Sequence, residues 1–153
     1  MQVFRLVRGM YADDLSGYGA WLHGGRWNSP GTFMLYTSDS KPLALLEILV
    51  NTASRDLLTP PFSLLTLSLP NNQKLYGRLN TLSEGWAAFP YLAETIALGD
   101  DFVQMQTYLG LWVPSAIVPD ASNLLLNPHH PAFEQVKPLS SVPFPINERL
   151  AGN

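Results

Sequence analysis

Short apolar runs that alternate with polar residues recur along the chain, and each is ended by glycine, proline or a polar cluster. Alternation with a period of two residues is typical of β-strands that bury one face. Apolar runs that end at glycine, proline or polar clusters are typical of short strands in a compact domain. The pattern predicts strands over residues 3–7, 33–37, 63–69 and 111–118, the last of them broken near Pro114.

One apolar run has the features of a buried helix. Residues 38–40 are Ser-Asp-Ser, a helix-capping cluster, and Pro42 fits the first helical turn because its missing N–H is not needed there. The body covers residues 43–50 and is apolar at every position except Glu47. Two further helices are predicted over residues 91–98 and 100–109, interrupted at Gly99, and the last thirty or so residues are predicted to be loops wrapped on the body.

The order of these elements is strand, strand, helix, strand, helix, helix, strand, which predicts a mixed α/β fold with a central sheet flanked by helices. A length of 153 residues with 46% hydrophobic residues is ordinary for one domain with a proper core. No internal repeat, low-complexity segment or long linker interrupts the chain. We therefore expect a single domain over residues 1–153.

Charge and composition narrow the classes of function. The net charge is −3 and the pI about 5.5, so the chain lacks the basic surface of nucleic-acid binders, and direct nucleic-acid binding is disfavoured. The absence of cysteine excludes disulfides, a thiolate nucleophile and Cys-based metal sites. Neither a signal peptide nor a membrane span is recognisable in the sequence. A cytoplasmic protein without membrane attachment is the expectation.

Glu47 is the most informative residue on local grounds. It is the one carboxylate in an otherwise apolar helix, so it is expected to be buried with that helix. A buried carboxylate either takes up a proton more readily or finds a cation and hydrogen-bond donors, because leaving it unpaired costs several kcal/mol. A structural ion pair, or a helix edge that reaches water, would explain the residue equally well.

Two arginines could pair with that carboxylate or bind an anion. Arg5 lies in the first predicted strand, and Arg26 lies between the pair Gly24-Gly25 and a tryptophan. The guanidinium fork suits bidentate contact with phosphate or carboxylate. The two glycines would allow the backbone to approach a ligand closely, but they fit a hairpin turn just as well.

Other candidate residues carry weaker signals. Tyr36 lies near the end of the strand that leads into the Glu47 helix, so the two side chains could converge at that end of the sheet. Gly17-Tyr18-Gly19 does not continue as a dinucleotide fingerprint, because position 22 is Leu22. The adjacent pair His129-His130 is not predicted to hold a metal, since neighbouring side chains point apart and only Glu134 lies at a usual ligand spacing.

Taken together, these residues form a pattern that resembles the RES-domain family, the toxins of RES/Xre toxin–antitoxin systems. The likeness covers nearly the whole chain and specific motifs recur in the same order. They are Phe4-Arg5, the run GYGAWLHGGRWN over residues 17–28, Pro30-Gly31, Tyr36, ALLE over residues 44–47, Gly85-Trp86, Leu98-Gly99-Asp100, Val113-Pro114-Ser115, Asn123 and LNPHHP over residues 126–131. One departure is the segment LSEGW over residues 82–86, which lacks the proline expected before the tryptophan.

The resemblance implies a fold akin to ADP-ribosyltransferase toxins and an active site that degrades NAD⁺ by hydrolysis or by phosphorolysis. NAD⁺ would be the substrate, inorganic phosphate a candidate co-substrate, and no prosthetic group or metal is expected. The catalytic set carried over is Arg26, Tyr36, Glu47 and Ser115, and Arg5 and Asn28 complete the binding set. The arginines would clamp the pyrophosphate and orient the ribose, and Ser115 would bind a ribose hydroxyl, a phosphate or the acceptor.

The resemblance also implies partners. A helix-turn-helix antitoxin of the Xre type is expected to cover the active site and to bind DNA, and a homodimer could form within a larger toxin–antitoxin complex. Three functions stay open from the sequence: degradation of NAD⁺, transfer of ADP-ribose to a protein target, and an inactive binding module that acts only within the complex.

Overall fold

A seven-stranded mixed sheet organises the chain in the computed structural model, which describes residues 1–59 and 61–152. The strand order is β4-β5-β6-β2-β1-β3-β7, and only the β4–β5 pair is parallel. The strands are β1 (Gln2–Arg8), β2 (Leu35–Ser38), β3 (Phe62–Ser68), β4 (Tyr76–Arg78), β5 (Gly110–Pro114), β6 (Ser122–Leu126) and β7 (Lys137–Phe144). The predicted mixed α/β class is confirmed.

Four α-helices occur in residues 1–59 and 61–152: α1 (Tyr18–His23), α2 (Lys41–Asn51), α3 (Ser54–Leu57) and α4 (Ala93–Met105). The predicted start of α2 is confirmed, since the Ser40 hydroxyl accepts a hydrogen bond from the Leu43 N–H at 3.3 Å and Pro42 lies in the first turn. None of the helices in this part of the chain is long and apolar enough to cross a membrane.

Both faces of the sheet are covered, and each buries its own apolar cluster. Val3, Leu35, Leu65, Leu67, Leu124 and Leu126 lie in the cluster on one face. On the other face, α2 packs through Ala44 against Leu6 and Leu64, and a third cluster surrounds the buried Trp27. Successive strand residues point to opposite faces, so Tyr36 and Leu35 belong to different clusters.

The expectation that α2 is buried on every side is wrong. Leu43 and Ala44 are buried, but Leu46 is 40% exposed and Val50 58% exposed. The helix packs on the central strands β1 and β2 with one side, and another side faces an open cavity. An apolar side that faces a cavity cannot be distinguished by sequence from one that faces a core.

Four other predictions need correction. Residues 91–109 do not form two helices, because α4 runs without interruption through Gly99 and ends at Met105. The final segment is not loop alone, since it contributes β6 and β7. The strand predicted over residues 111–118 ends at Pro114, where the chain turns. The strand predicted over residues 33–37 begins two residues later and ends at Ser38.

Candidate functional site

A cavity of about 650 Å³ opens between α2, the end of β5 and the loop that precedes α4. Its volume lies in the range usual for sites that bind small molecules and cofactors. Charged, amide and aromatic side chains share the lining with apolar ones. The charged, amide and aromatic side chains include Arg26, Tyr36, Glu47, Asn51, Tyr91 and Asn123.

The sequence Gly25-Arg26-Trp27-Asn28 forms a tight turn that separates its two central side chains. The Gly25 N–H donates to the Asn28 carbonyl at 2.9 Å, and the Asn28 N–H donates back at 3.4 Å. Arg26 lines the cavity, whereas Trp27 is 3% exposed and packs in the core. The turn therefore anchors itself by Trp27 and presents Arg26 to the cavity.

The structure shows the turn considered for Gly24-Gly25, and both glycines also line the cavity. Gly24 has φ +70° and ends α1, a conformation that favours glycine. A Cβ on Gly25 would lie 2.8 Å from the Tyr36 hydroxyl oxygen, so this glycine admits the tyrosine. The pair shapes the wall that carries Arg26.

The Arg26 guanidinium is held from the loop that precedes α4. Its Nη1 donates to the carbonyl oxygens of Trp86 at 3.0 Å and Ala88 at 2.9 Å. Its Cζ lies 4.8 Å from the centroid of the Tyr91 ring, a distance typical of a cation–π contact. Nε and Nη2 have no hydrogen-bond partner within residues 1–59 and 61–152, so they can donate to a ligand in the cavity.

Helix α4 fixes the position of the turn formed by residues 25–28, which we call the Arg26 turn. Gly99 packs so closely on the Trp27 carbonyl that a Cβ there would overlap its oxygen. One residue further, the Asp100 carboxylate accepts hydrogen bonds from the Ser29 N–H at 3.0 Å and the Ser29 hydroxyl at 2.6 Å. The Leu98-Gly99-Asp100 motif thus holds the loop that carries Arg26.

Glu47 extends from α2 into the cavity, where neutral donors hold its carboxylate. Oε1 accepts a hydrogen bond from Asn123 Nδ2 at 2.6 Å and one from the Ser115 hydroxyl at 3.3 Å. Pairing with an arginine, one of the alternatives that the sequence left open, does not occur; the one ion pair within the described part of the chain is Arg55–Asp56. Glu47 is half-buried, and Oε2 is left free to face a ligand.

Ser115 and Asn123 position that carboxylate from the sheet. The Ser115 hydroxyl accepts from the N–H groups of Ile117 at 3.2 Å and Val118 at 3.1 Å, which directs its own proton to Glu47. Asn123 Oδ1 accepts from the Ser38 hydroxyl at 2.7 Å, which directs its amide donors to Glu47. Ser115 is buried and does not line the main cavity.

Tyr36 lies across the cavity floor with its hydroxyl engaged on both sides. It donates to Asn28 Oδ1 at 2.7 Å and accepts from the Trp27 N–H at 3.1 Å. Asn28 is 1% exposed, and its Nδ2 donates to the carbonyls of Ala20, Ser29 and Thr32. Its polar atoms are thus used inside the protein, where they hold the turn and Tyr36 together.

Tyr36→Phe should destabilise the protein by about 1–3 kcal/mol at pH 7, because it leaves buried hydrogen-bond partners unsatisfied. Burial raises the pKa of Tyr36 above its ordinary value. The unfolded chain ionises near pH 10, before the folded protein does, so the stability due to Tyr36 is complete below that pH and declines above it. Urea unfolding at pH 7 and above pH 10 should show that the difference in the free energy of unfolding between wild type and Tyr36→Phe is smaller at the higher pH. Tyr11→Phe, at an exposed tyrosine, is the control and should show no gap.

Arg5 lies on the other side of Glu47, beside a smaller chamber of about 170 Å³ that Glu47, Tyr36 and Asn123 also line. Its Nη1 donates to the Tyr36 carbonyl at 2.9 Å, and its buried Nε has no partner in the described residues. Burial lowers the pKa of Arg5 to about 10, against the opposing effect of Asp14, and it stays protonated at neutral pH. Arg5 does not line the main cavity with Arg26.

The structure therefore brings Arg26, Tyr36 and Glu47 to one cavity and places Arg5, Asn28 and Ser115 around it. Sequence reasoning missed the roles of Asn123 and Tyr91, which contact Glu47 and Arg26. Asn123 is among the motifs of the resemblance but was not assigned to the site, and no local signal marks Tyr91.

The histidine pair lies outside this site. The His130 imidazole Nδ1 accepts from the Ala132 N–H at 3.1 Å, and the His129 ring lies 4.8 Å from that of Phe33. Over residues 1–59 and 61–152, no three His, Asp or Glu side chains cluster closely enough to hold a metal ion.

Comparison with known proteins gives a consistent result. Residues 2–147 match the RES domain family. Toxin Res of Photorhabdus laumondii is 37% identical over 152 residues, covering 98% of this chain and 97% of that protein. The Prs ADP-ribosylating toxin of Sphingobium sp. strain YBL2 is 39% identical over 129 residues, covering 82% of this chain and 80% of the relative.

A solved structure shares the fold. The Mycobacterium tuberculosis MbcT–MbcA toxin–antitoxin complex contains a chain that aligns with a TM-score of 0.74 at 20% identity, covering 98% of this chain and 86% of that one. That neighbour has an ADP-ribosyltransferase-like fold, so the fold predicted from the resemblance is confirmed.

Proposed function

Because this chain belongs to the RES-domain family, we propose that it is the toxin of a toxin–antitoxin pair and that it degrades NAD⁺ by cleaving the bond between nicotinamide and ribose. One observation carries the proposal: the Glu47 carboxylate and the Arg26 guanidinium line the same cavity, and each is held by hydrogen bonds that leave further oxygen or nitrogen atoms free.

Cleavage of this bond needs a fixed negative charge at the sugar. As the pyridinium leaves, the bonding electron pair goes to its nitrogen and the ribose becomes oxocarbenium-like. A preorganised carboxylate stabilises that cation without having to reorganise during the reaction. With Oε1 held by Asn123 and Ser115, Glu47 Oε2 would face C1′ or hold the ribose hydroxyls.

Arg26 would bind the pyrophosphate of the same molecule. Its Nε and Nη2 donate in the plane of the guanidinium, the geometry suited to phosphate oxygens. The Tyr36 hydroxyl is already engaged, which favours stacking of the ring on nicotinamide over a hydrogen bond from the hydroxyl to it. Asn28 and Arg5 would support this arrangement through Tyr36 rather than bind the pyrophosphate.

Asn123→Ala should lower kcat for nicotinamide release about tenfold, because Glu47 loses its shorter hydrogen bond while the partly buried carboxylate remains. KM should change little, since Asn123 acts on the transition state through Glu47. Steady-state kinetics over a range of NAD⁺ concentrations check this. Ser38→Ala, which removes only the support behind Asn123, should give a smaller loss, and an unchanged kcat in Asn123→Ala would refute the role.

The acceptor decides which reaction follows cleavage. Incubation of purified protein with NAD⁺, with and without inorganic phosphate, separates the cases by product. ADP-ribose indicates hydrolysis, and a phosphorylated ADP-ribose that forms only with phosphate indicates phosphorolysis. Absence of nicotinamide release under both conditions from folded protein would overturn the proposal and favour an inactive binding module.

Transfer of ADP-ribose to a protein is the second candidate, because the 39%-identical relative is named an ADP-ribosylating toxin. The chemistry at the ribose is the same and only the nucleophile differs. NAD⁺ labelled in its adenylate half distinguishes the two candidates in a cell extract. Label recovered on a macromolecule would favour transfer, and label recovered as a small molecule would favour degradation.

The proposed partner is a helix-turn-helix antitoxin that covers the cavity, and the proposed location of the pair is the cytoplasm. Exposed apolar side chains on the cavity wall support such an interface: Val50 is 58% exposed, Phe89 79% and Ile117 36%. DNA contact would come from the antitoxin. Homodimerisation within the complex is a further part of this proposal.

A further inference from the structure

A third cavity, of about 350 Å³, adjoins the main one at the ends of β4, β5 and β6. We call it the Arg78 pocket. It is lined by Arg78, Leu79, Asn80, Leu82, Trp86, Pro114 and Ser122. Most of these residues belong to segments with no contact to Glu47, and the cleavage chemistry proposed at Glu47 does not use the pocket.

The Arg78 guanidinium is held in place by two contacts. Arg78 Nη1 donates to the Ser122 hydroxyl at 3.3 Å, and the Arg78 Cζ lies 5.4 Å from the centroid of the Trp112 ring. Within residues 1–59 and 61–152, Arg78 has no acidic partner within ion-pair distance. A guanidinium fixed on one side and uncompensated on the other is suited to an anionic ligand.

The Arg78 pocket adjoins the main cavity. Pro114 lines both, and Trp86 lines the Arg78 pocket while its carbonyl accepts from Arg26 Nη1 in the main cavity. A ligand that extends from Glu47 to Arg78 would pass Pro114, which the two cavities share. The chamber beside Arg5 is about half as large as the Arg78 pocket, which makes it less suited to half of a dinucleotide.

Charge favours the same path. The pyrophosphate and adenosine half of a dinucleotide carries two negative charges, and Glu47 adds a third charge of the same sign to the main cavity. Arg26 is the one arginine or lysine among the main-cavity lining residues, and its Nη1 is already engaged by backbone carbonyls. A second cation along the ligand would offset this imbalance. Arg78 is exposed at the adjoining pocket, whereas Arg5 lies beside the smaller chamber with its Nη1 donating to the Tyr36 carbonyl.

We propose that the Arg78 pocket is a binding subsite for the adenylate half of a dinucleotide whose nicotinamide riboside half lies at Glu47. The inference rests on the proposed function and names the substrate class of the same site. Arg78 binds phosphate or ribose oxygens, the Trp86 ring offers a surface for adenine, and Asn80 offers an amide for hydrogen bonding.

The variant Arg78→Ala tests the subsite with two ligands, AMP and nicotinamide mononucleotide, which represent the two halves of NAD⁺. Isothermal titration with AMP should show binding to wild type that is about 10- to 100-fold weaker in the variant, as for loss of a charge-assisted contact. Binding of nicotinamide mononucleotide should be the same in both proteins. In turnover, KM for NAD⁺ should rise by a similar factor, and the rate with nicotinamide mononucleotide should not change. Arg55→Ala removes an equal charge from an exposed arginine outside both cavities and is the control.

The outcomes separate this inference from the proposed function. Equal AMP affinity in wild type and Arg78→Ala, no AMP binding to wild type, or an equal loss with nicotinamide mononucleotide would overturn the subsite even if NAD⁺ is cleaved. Absence of nicotinamide release from wild type would overturn the proposed function, and the AMP titration would still decide the subsite.

Discussion

Glu47→Gln is expected to lower the rate of nicotinamide release from NAD⁺ by about 10²- to 10³-fold, the usual effect of removing one preorganised electrostatic contact to the transition state. The glutamine keeps the size of the side chain and can still accept from Asn123 Nδ2 through its carbonyl oxygen. Only the negative charge is lost. The effect should therefore appear in kcat, because the ground-state sugar carries little of the charge that develops as nicotinamide leaves.

The matched control is Glu84→Gln, which removes the same charge from an exposed glutamate outside the cavity. It should leave kcat and KM unchanged, and circular dichroism should show that both variants are folded. A kcat for Glu47→Gln within a factor of two of wild type would contradict the proposed role of the carboxylate.

Gly99→Ala is expected to destabilise the protein strongly, because a Cβ at Gly99 would make a closer contact than a Cβ at any other glycine. Alanine is favoured over glycine in a helix by about 1 kcal/mol, so local propensity alone predicts stabilisation. The added Cβ would instead overlap the Trp27 carbonyl oxygen, and α4 would have to move away from the Arg26 turn. We expect a loss of about 2–3 kcal/mol or more in the free energy of unfolding, the cost of overpacking a tight contact, measured by urea denaturation.

Gly19→Ala is the matched control, because Gly19 also lies in a helix and a Cβ there would meet nothing within 4 Å. It should leave stability unchanged or raise it by up to about 1 kcal/mol. Equal stabilities of the two variants would show that the contact between α4 and the Arg26 turn is not a tight one.

Gly99 also shows why part of the fold could not be predicted from the sequence. A glycine within a helical pattern is read locally as an interruption, and residues 91–98 and 100–109 were accordingly predicted as separate helices. The actual reason for the glycine is a carbonyl 72 positions earlier in the chain, at Trp27. The capped start of α2 was predictable because Ser40 and Pro42 act within one turn of the same helix.

Strand β7 was missed for a related reason. It lies at the edge of the sheet, pairs only with β3 and is exposed along almost its whole length, so it carries no alternating pattern. Pro138 and Pro143 within it indicate a loop when taken locally, yet prolines are tolerated at sheet edges.

The sequence indicated which residues belong to the candidate site better than it indicated which of them contact one another. The apolar surroundings of Glu47 indicated a carboxylate that needs partners, and Arg26 and Tyr36 do line the same cavity. The partners of Glu47 are Asn123 and Ser115, however, and not an arginine. These contacts join α2 to the ends of β5 and β6, and only the arrangement of the sheet brings the three residues together.

The most direct test of the central claim is a crystal structure of the Glu47→Gln variant soaked with NAD⁺, in which slow turnover should preserve the substrate. The account predicts C1′ of the nicotinamide ribose within van der Waals contact, about 4 Å, of the side chain at position 47, with a phosphate on Arg26. NAD⁺ bound with its nicotinamide ribose away from α2 would contradict it.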